Sequence, residues 1–471
     1  MFDGSQQFKI DKPIRLISLF SGYDSQALSL KYLGVGFEHY KTSEWAVNSI
    51  QALKDLHFGD DNTDYSASLT DNEVLDFLDG RISSDYSTPM TREQIQRKGE
   101  QWRRQVYNNM KASNNLGSIT LVRGGQLEIT DTDKYCYITT YSYPCQSLST
   151  AGKQEGMAKG SGTRSSLLWE VERLLKETPN LPQVLLMENV PEVIGSKNIK
   201  HFAEWQAFLE KLGYKNKWGV LNGSDFNIPQ NRERCFMVSV LGDYCYYLPS
   251  GEKLTTSLND LLEDEVDEKY FLSDKQMIYA FDCNHVCDDT KRGDLADRWV
   301  NPPIAKTISC RGAEAQRADI TNFVVGDNTK VYKLGEIRDV INLRSKNQHL
   351  KKIIEKIDTT ETLAIDGYNQ TLHKDCVQTI RANINTRNED FLWKDLRIRK
   401  FTERECWRLM GVKDEDFERV AKNQTKGSLY MLAGNSIVTT VIMAILGNML
   451  SIDYSYKINE TIKEILNGTP L

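Results

Sequence analysis

The first 241 residues alternate between strand-like and helix-like segments, and this alternation restricts the possible folds more than any other feature of the 471-residue chain. Helical spacing follows or separates several of the strand-like runs, as in SQALSLKYLG (25–34) and AVNSIQALKDL (46–56). Because strands that alternate with helices usually build a parallel sheet, we predict an α/β fold. The strand-like runs are IRLISLF (14–20), a run ending in KTSEW (41–45), YCYITTY (135–141), VLLMENV (184–190) and RCFMVSVL (234–241).

Two regions interrupt this pattern. Residues 57–116 are polar and contain a basic stretch with helical spacing, TREQIQRKGEQWRRQVYNNMK, which we interpret as an insertion. After residue 248, LNDLLEDEVDE predicts an acidic helix, and short mixed segments follow. Helical regularity returns in TERECWRLMG (402–411) and SIVTTVIMAILGNML (436–450). We therefore predict a catalytic and cofactor-binding domain at 1–248, a smaller domain at 249–390, and a segment at 391–471 that completes the first domain.

Composition excludes several classes of protein. The net charge is 59 − 65 = −6, so any binding to nucleic acid must come from local patches. The sequence contains no signal-peptide pattern and no uncharged apolar stretch of about 18 residues, which predicts a cytoplasmic protein without a membrane span. Nine cysteines without a repeating spacing indicate reduced thiols. We predict no metal site, because CNHVC (283–287) lacks a second ligand pair.

The first two strand ends suggest a nucleotide-type ligand. FSGYDSQ (20–26) joins the first strand to the first helix, and Gly22 would allow close approach of a ligand to the backbone. The next strand ends in Glu44 and Trp45, and an acid at this place suits the hydroxyls of a ribose. An exposed acid beside a core tryptophan is an equally good interpretation of that pair alone.

Three further motifs carry reactive side chains. Cys145 follows a strand that ends near Tyr143, and Glu188 follows three apolar strand residues, so burial should raise its pKa. Arg232 and Arg234 alternate and would share one face of a strand. Taken singly, the cysteine could be a small core residue, the glutamate a carboxylate bound by backbone amides, and the arginines part of a solvated edge strand.

The order of the motifs is more informative than any one of them. An FSG turn followed by PCQ, ENV and QNRER resembles the cytosine-5 DNA methyltransferase family. The resemblance continues in GTRSSLLWE (162–170), in the run 399–411 and in GNSIV (434–438), so it covers most of 14–241 and 397–450. The insertion is similar to a branch common in bacterial restriction–modification systems and their phages. The resemblance implies a Rossmann-like sheet that binds S-adenosylmethionine, with an inserted target-recognition domain.

The resemblance also implies the chemical roles. Cys145 would add to C6 of a cytosine flipped out of double-stranded DNA, which activates C5 for methylation. Glu188 would hold the ring nitrogen and exocyclic amine, Arg234 the ring carbonyl oxygen, and Arg232 a phosphate or the catalytic loop. Pro144 would stiffen the loop that carries the cysteine. The predicted cofactor site consists of Phe20, Gly22, Glu44, Trp45, Ser118, Ile119, Pro144, Asn435 and Ser436.

The sequence departs from the family pattern at two places. Tyr23, Asp24 and Ser25 stand where glycines usually continue the first motif, and Ser118 stands where an aspartate normally contacts the adenine.

DNA contacts are predicted for Gln230 and for Arg311 and Arg381, which lie in two similar stretches, AKTISCRGAE (305–314) and VQTIRANINT (377–386). The similarity of these stretches is equally compatible with chance.

We therefore predict a monomeric DNA (cytosine-5-)-methyltransferase, the modification enzyme of a restriction–modification system or a phage protection enzyme, which could act beside a separate restriction endonuclease. The alternatives are an RNA cytosine-5 methyltransferase and a catalytically silent DNA-binding relative. A dehydrogenase on a similar sheet would need G-x-G-x-x-G after the first strand, and FSGYDSQ lacks it.

Overall fold

The computed structural model describes residues 6–145, 147–148, 156–271, 363–366, 371–374, 377–378, 391–394 and 397–468. The fold is built on a six-stranded sheet with the order β3-β2-β4-β5-β8-β6. The first four of these strands are parallel, and β8 runs antiparallel to both β5 and β6. The strands up to residue 245 are β1 Gln6–Gln7, β2 Ile14–Leu19, β3 Phe37–Ser43, β4 Cys136–Tyr141, β5 Val184–Asn189, β6 Tyr214–Asn222, β7 Gln230–Asn231, β8 Glu233–Leu241 and β9 Tyr244–Cys245.

A second, four-stranded antiparallel sheet follows, with the order β11-β10-β13-β14. The short β12 pairs with β7 in parallel and so connects this part of the chain to the motif QNRER. These strands are β10 Leu363–Asp366, β11 Thr371–Lys374, β12 Val377–Gln378, β13 Phe391–Lys394 and β14 Arg397–Lys400.

Helices lie between and after the strands. The described helices are α1 Ser25–Tyr32, α2 Val47–His57, α3 Asp71–Leu78, α4 Arg92–Arg97, α5 Glu100–Ala112, α6 Leu168–Glu177, α7 Ile199–Lys211, α8 Glu403–Arg408, α9 Asp414–Ala421, α10 Lys426–Asn435, α11 Thr439–Leu450 and α12 Tyr454–Asn467.

Both faces of the six-stranded sheet are covered by apolar side chains, as its near-continuous hydrophobic strands require. Neighbouring residues of a strand point to opposite faces, so Leu16 and Leu186 belong to one core and Ile17 and Leu185 to the other. The first core includes residues of α1 and α11, and the second includes residues of α6 and α7. The C-terminal helices therefore complete the α/β unit, and the predicted α/β fold is confirmed.

The insertion has a small core of its own. Apolar side chains of α3, α4 and α5 pack together with Ile50 of α2, although the segment as a whole is polar. The basic stretch is divided into two helices at Lys98 and Gly99, and Gly99 has a φ of 82° that ordinary helix residues avoid. Arg103 is bound internally by Asp71, with Nη2–Oδ2 at 2.6 Å.

Two sequence predictions differ from the structure. The predicted acidic helix at 258–268 is wrong, since only single turns form at Asn259–Leu261 and Glu268–Tyr270. Like charges four residues apart, such as Glu263 and Asp267, disfavour a helix there. The edge strand β6 was not predicted, because its Lys215 and Lys217 hide the strand pattern.

One segment of the described chain, Lys426–Leu450, is long and apolar enough to cross a membrane by composition, with a mean hydropathy of 1.8. It comprises α10 and α11, and 78% of its apolar window is buried inside the fold. Its hydrophobicity is therefore accounted for by the core of the α/β unit.

Candidate active site

The sheet register brings the predicted reactive residues to one edge. Cys145 follows the carboxyl end of β4, and Glu188 lies near the carboxyl end of the neighbouring β5, where Tyr141 pairs with Met187. Since β8 is antiparallel, its first residues lie at this same edge, and Asn189 pairs with Cys235 directly after Arg234. Three separate motifs are thereby assembled at the carboxyl ends of the parallel strands, where open α/β sheets bind their ligands.

Glu188 and Arg234 form a partly shielded ion pair, with Oε1 and Nε 3.1 Å apart. Burial raises the pKa of Glu188, while the charges of Arg234 and Arg232 oppose that rise. The carboxyl group can therefore hold a proton more readily than an exposed glutamate and remains fixed in direction by the arginine. This is the behaviour required of a group that binds and protonates a ring nitrogen.

The loop that carries Cys145 is held by its carbonyl groups. Asn189 Nδ2 donates to the Tyr143 carbonyl at 2.9 Å, and Ser165 Oγ donates to the Pro144 carbonyl at 2.7 Å. The Leu148 amide closes a turn onto the Cys145 carbonyl at 2.8 Å. The thiol is thus presented by a loop fixed on both sides of the proline.

The environment of the thiol balances opposing effects. Burial raises the pKa of Cys145, and the cations Arg234 and Arg232 lower it in part. Because the thiolate is the nucleophilic form, these arginines favour the reactive state of a side chain that burial would otherwise keep neutral.

Arg232 has a different position from its neighbour two residues later. Only 3% of the residue is exposed, and its Nη2 donates to the carbonyls of Gly434 and Ser436 at 2.8 and 2.6 Å. Burial and the adjacent Arg234 lower the pKa of Arg232 to about 9. This placement argues against the predicted phosphate contact and makes Arg232 an internal connection between the QNRER and GNSIV motifs.

The turn after β2 is strained and tightly bound. Phe20, Gly22 and Asp24 all have φ near +60°, a conformation that costs energy for residues other than glycine. The Phe20 amide donates to the Ser43 carbonyl at 2.8 Å, and the Gly22 amide donates to Glu44 Oε2 at 2.8 Å. These two hydrogen bonds fix the turn to the end of β3 and to Glu44.

Glu44 organises the backbone of this region. Besides Gly22, it accepts hydrogen bonds at Oε1 from the amides of Trp45 and Ala46, at 2.8 and 2.7 Å. Burial raises the pKa of Glu44 to about 7 against these three donors, which favour the ionised form. The carboxylate is therefore both a brace of the turn and an acceptor with capacity left for hydroxyl groups.

The segment around Ser118 lies beside the end of β3. Asn115 exchanges hydrogen bonds with the backbone amide and carbonyl of Glu44, both at 3.0 Å, and Ser43 Oγ donates to the Gly117 carbonyl at 2.7 Å. Ser118 and Ile119 are both buried, and the Ser118 hydroxyl is bonded to Thr120 Oγ1 at 3.0 Å. The structure therefore brings this segment beside Glu44.

The chemistry of the first turn fits S-adenosylmethionine. Ser21 Oγ is buried and has no hydrogen-bond partner in the protein, and a side chain added at Gly22 would meet no atom within 4 Å. Asn435, the last residue of α10, is exposed. An unpaired hydroxyl, open space and an acid suit a ligand with amine, carboxylate and ribose groups.

In the described ranges, no group of three or more potential metal ligands occurs.

The residues that depart from the family pattern have defined partners. The Tyr23 ring stacks on Trp407, with centroids 4.7 Å apart. Asp24 caps α1 by accepting from the Ala27 amide, and its other oxygen lies 2.7 Å from His39 Nε2. The turn therefore keeps its strained shape with larger residues because they are anchored on the surrounding helices and on β3.

Not all predicted site residues meet here. Gln230 is fully buried, and its amide donates to the Leu409 carbonyl at 2.6 Å, which argues against the predicted DNA contact. Arg311 and Arg381 lie outside the described residues, as does the CNHVC stretch. Sequence reasoning missed three residues that bind backbone carbonyl groups near the site: Asn115, Ser165 and Asn189. Ser165 and Asn189 nevertheless lie inside two of the motifs described above, GTRSSLLWE and ENV.

Comparison with known proteins agrees with the geometry. The model of the C-5 cytosine-specific DNA methylase family matches residues 91–451. The type II methyltransferase M2.ScrFI of Lactococcus lactis subsp. cremoris is 29% identical over 91% of this chain and 97% of its own length. The orphan methyltransferase M.SssI of Spiroplasma monobiae is 35% identical over 56% of this chain and 68% of its own length.

A solved structure supports the fold. A DNMT2 variant of Spodoptera frugiperda superposes with a TM-score of 0.50 at 14% identity, covering 92% of this chain and 99% of its own. The match of the family model, together with the ordered motifs and their common edge of the sheet, identifies the chain as a member of the C-5 cytosine-specific DNA methylase family.

Proposed function

We propose that this enzyme methylates C5 of a cytosine flipped out of double-stranded DNA, through a covalent adduct at Cys145. The observation that carries the proposal is the convergence of Cys145, Glu188 and Arg234 from three motifs on one edge of the sheet. A duplex hides the target atom, so the base must leave the stack to reach these residues.

Each side chain has a role that follows from its environment. The Cys145 thiolate adds to C6, while Glu188, with its raised pKa, supports protonation of the ring nitrogen. Arg234 pairs with Glu188, and its proposed role is to bind the ring carbonyl oxygen. The addition makes C5 nucleophilic, and C5 then takes up the methyl group. Loss of the C5 proton and of the sulfur from C6 afterwards restores the aromatic ring.

S-adenosylmethionine supplies the methyl group in this family. The residues proposed to hold it are those of the turn after β2 and its neighbours, with Glu44 accepting from the ribose hydroxyls. Phe20, Trp45, Ile119 and Asn435 complete the proposed cleft. The Ser436 hydroxyl is bonded to Tyr23 and to the Ala433 carbonyl, so its proposed role is to hold the cleft in shape and not to bind the cofactor directly.

We also propose that the enzyme modifies a specific DNA sequence in bacteria or their phages. Two relatives bear the names type II methyltransferase and orphan methyltransferase, so the same chemistry occurs with and without a restriction context. A cytoplasmic monomer, with or without a separate endonuclease, fits this role. Residues 249–390 would supply target recognition, supported by the pairing of β12 with the QNRER motif.

The test uses the Cys145→Ser variant with DNA that contains 5-fluorocytosine. With S-adenosylmethionine present, methyl transfer leaves at C5 a fluorine that a base cannot abstract as it abstracts a proton. Loss of the Cys145 sulfur is then blocked, and the covalent adduct survives denaturing electrophoresis. We expect the wild type to form this adduct and Cys145→Ser to form none and to lose methyl transfer, with cofactor affinity nearly unchanged. Cys245→Ser, at another partly buried thiol, is the control and should behave as wild type. A Cys145→Ser rate above about a tenth of wild type would contradict the covalent mechanism.

A further inference from the structure

Tyr23 is a buried residue of the turn after β2 (residues 20–26, here called the cofactor turn), and its hydroxyl is bonded to the segment that holds Arg232. Its ring stacks on Trp407 at an interplanar angle of 20°, and its hydroxyl donates to Ser436 Oγ at 2.8 Å. The side chain therefore connects a turn near residue 23 to the end of α10, more than 400 residues away in the sequence. A ring alone would satisfy the packing, so the hydroxyl requires a separate explanation.

The hydrogen bonds continue from Ser436 to Arg232. The Ser436 hydroxyl donates to the Ala433 carbonyl at 3.0 Å, which fixes the side chain that accepts from Tyr23. The carbonyls of Ser436 and Gly434 both accept from Arg232 Nη2. The position of Arg232 thus depends on the same short segment that Tyr23 holds.

Arg232 in turn acts on the reactive groups. Burial raises the pKa values of Cys145 and Glu188, and the charge of Arg232 is one of the causes that limit this rise. Arg232 also affects Tyr23 directly, since its cation opposes the rise in the pKa of Tyr23 that burial causes. Hydrogen bonds therefore lead from the cofactor turn to Arg232, and the charge of Arg232 extends this connection to Cys145.

We propose that Tyr23 is a positioning residue whose hydroxyl couples the cofactor turn, through Ser436 and Arg232, to the Cys145 site. This inference rests on the proposed function and adds a residue to it. Tyr23 touches neither reacting group, so its effect must pass through Ser436 and Arg232. Loss of the hydroxyl should alter both ends: the shape of the turn and the electrostatic environment of the thiol.

The variant Tyr23→Phe keeps the ring on Trp407 and removes only the hydroxyl. Tyr246→Phe is a matched control, because Tyr246 is also buried and its hydroxyl donates to the Ile445 carbonyl at 3.0 Å, in the core of the α/β unit. Two measurements do not require methylation: the Kd of S-adenosylmethionine by calorimetry, and the rate of Cys145 alkylation by iodoacetamide at several pH values, followed on the Cys145 peptide by mass spectrometry.

We expect Tyr23→Phe to raise the Kd roughly three- to tenfold, the effect of one lost hydrogen bond. Alkylation of Cys145 at pH 8 should slow roughly two- to fivefold, with the pH profile displaced upward, because the thiolate loses part of its cationic support. Tyr246→Phe should change neither quantity.

Ser436→Ala provides a second arm. It should act in the same direction, and the double variant Tyr23→Phe/Ser436→Ala should be no worse than the more affected single variant, since both remove one connection. Additive effects, an unchanged alkylation profile or an unchanged Kd in Tyr23→Phe would each overturn the proposal. These outcomes are separate from the proposed function, which is tested by the Cys145 adduct with fluorinated DNA and by the residual rate of Cys145→Ser.

Discussion

We expect Glu44 to give the proposed cofactor site a pH dependence that can be calculated. Its pKa is about 7, because burial raises it and the amides of Gly22, Trp45 and Ala46 limit the rise. Ribose hydroxyls donate hydrogen bonds, so they bind best to the ionised carboxylate. Raising the pH ionises Glu44, and affinity for S-adenosylmethionine should therefore increase with pH across this range.

The size of the effect follows from the ionised fraction. A group with a pKa of about 7 is ionised in about one molecule in eleven at pH 6 and in about ten in eleven at pH 8, so an ionisation-dependent Kd falls about tenfold. In Glu44→Gln this dependence disappears. The three backbone amides that bind Glu44 use both carboxylate oxygens, whereas glutamine offers them only one amide oxygen. A lost hydrogen bond to the charged carboxylate costs ~1.5–3 kcal/mol, which raises the Kd at pH 8 roughly tenfold or more.

Calorimetric titration of S-adenosylmethionine at pH 6, 7 and 8 measures both effects. The α-amino group of the ligand also titrates near pH 8, so the relevant quantity is the difference in slope between wild type and Glu44→Gln. Glu38→Gln, at an exposed acid on β3, the strand that ends directly before Glu44, is the control and should keep the wild-type slope. Equal slopes in wild type and Glu44→Gln would refute the reasoning.

Two further predictions concern stability and specificity. Burial lowers the pKa of His57 to about 4. Between pH 6.5 and about 4, His57 is therefore protonated in the unfolded chain but neutral in the folded chain, so the free energy of unfolding falls as the pH drops. Denaturant unfolding at pH 7.5 and 4.5 should show a larger loss in wild type than in His57→Gln; equal losses would contradict this, since groups such as Glu44 contribute equally to both proteins. Arg311→Ala and Arg381→Ala should relax the methylated motif at one position, at a cost of about 1–3 kcal/mol. Sequencing of methylated DNA decides the matter, because an unchanged motif methylated more slowly by both variants would exclude base readout.

The sequence predicted the parts of the site that depend on local patterns. Cys145, Glu188 and Arg234 each follow or begin a strand with a clear pattern, and parallel strands place such ends together. For Arg232 the sequence left two roles open, a phosphate contact or support of the catalytic loop, because strand alternation puts it on the same face as Arg234. Only the fold shows that Arg232 donates to the carbonyls of Gly434 and Ser436, which argues against the phosphate contact.

Contacts between distant segments were beyond local patterns. Asn115 binds the backbone of Glu44 across 71 residues, and nothing in the insertion marks that asparagine as special. The acidic segment at 258–268 shows the opposite case, in which a local pattern was misleading: its leucines suit a helix, but repulsion between its charges and the contact of the Glu263 amide with Glu405 favour an irregular chain.

The departure of the first motif from its family pattern can now be explained energetically. Two non-glycine residues at positive φ, Phe20 and Asp24, cost of order 1–2 kcal/mol each. Asp24 offsets its share by capping α1 and pairing with His39, both at buried positions where hydrogen bonds to a charge are strong. Tyr23 adds a stacked ring and a hydroxyl bond at the opposite side of the turn. The turn is therefore shaped before the ligand arrives, and less of the binding free energy has to be used to order it.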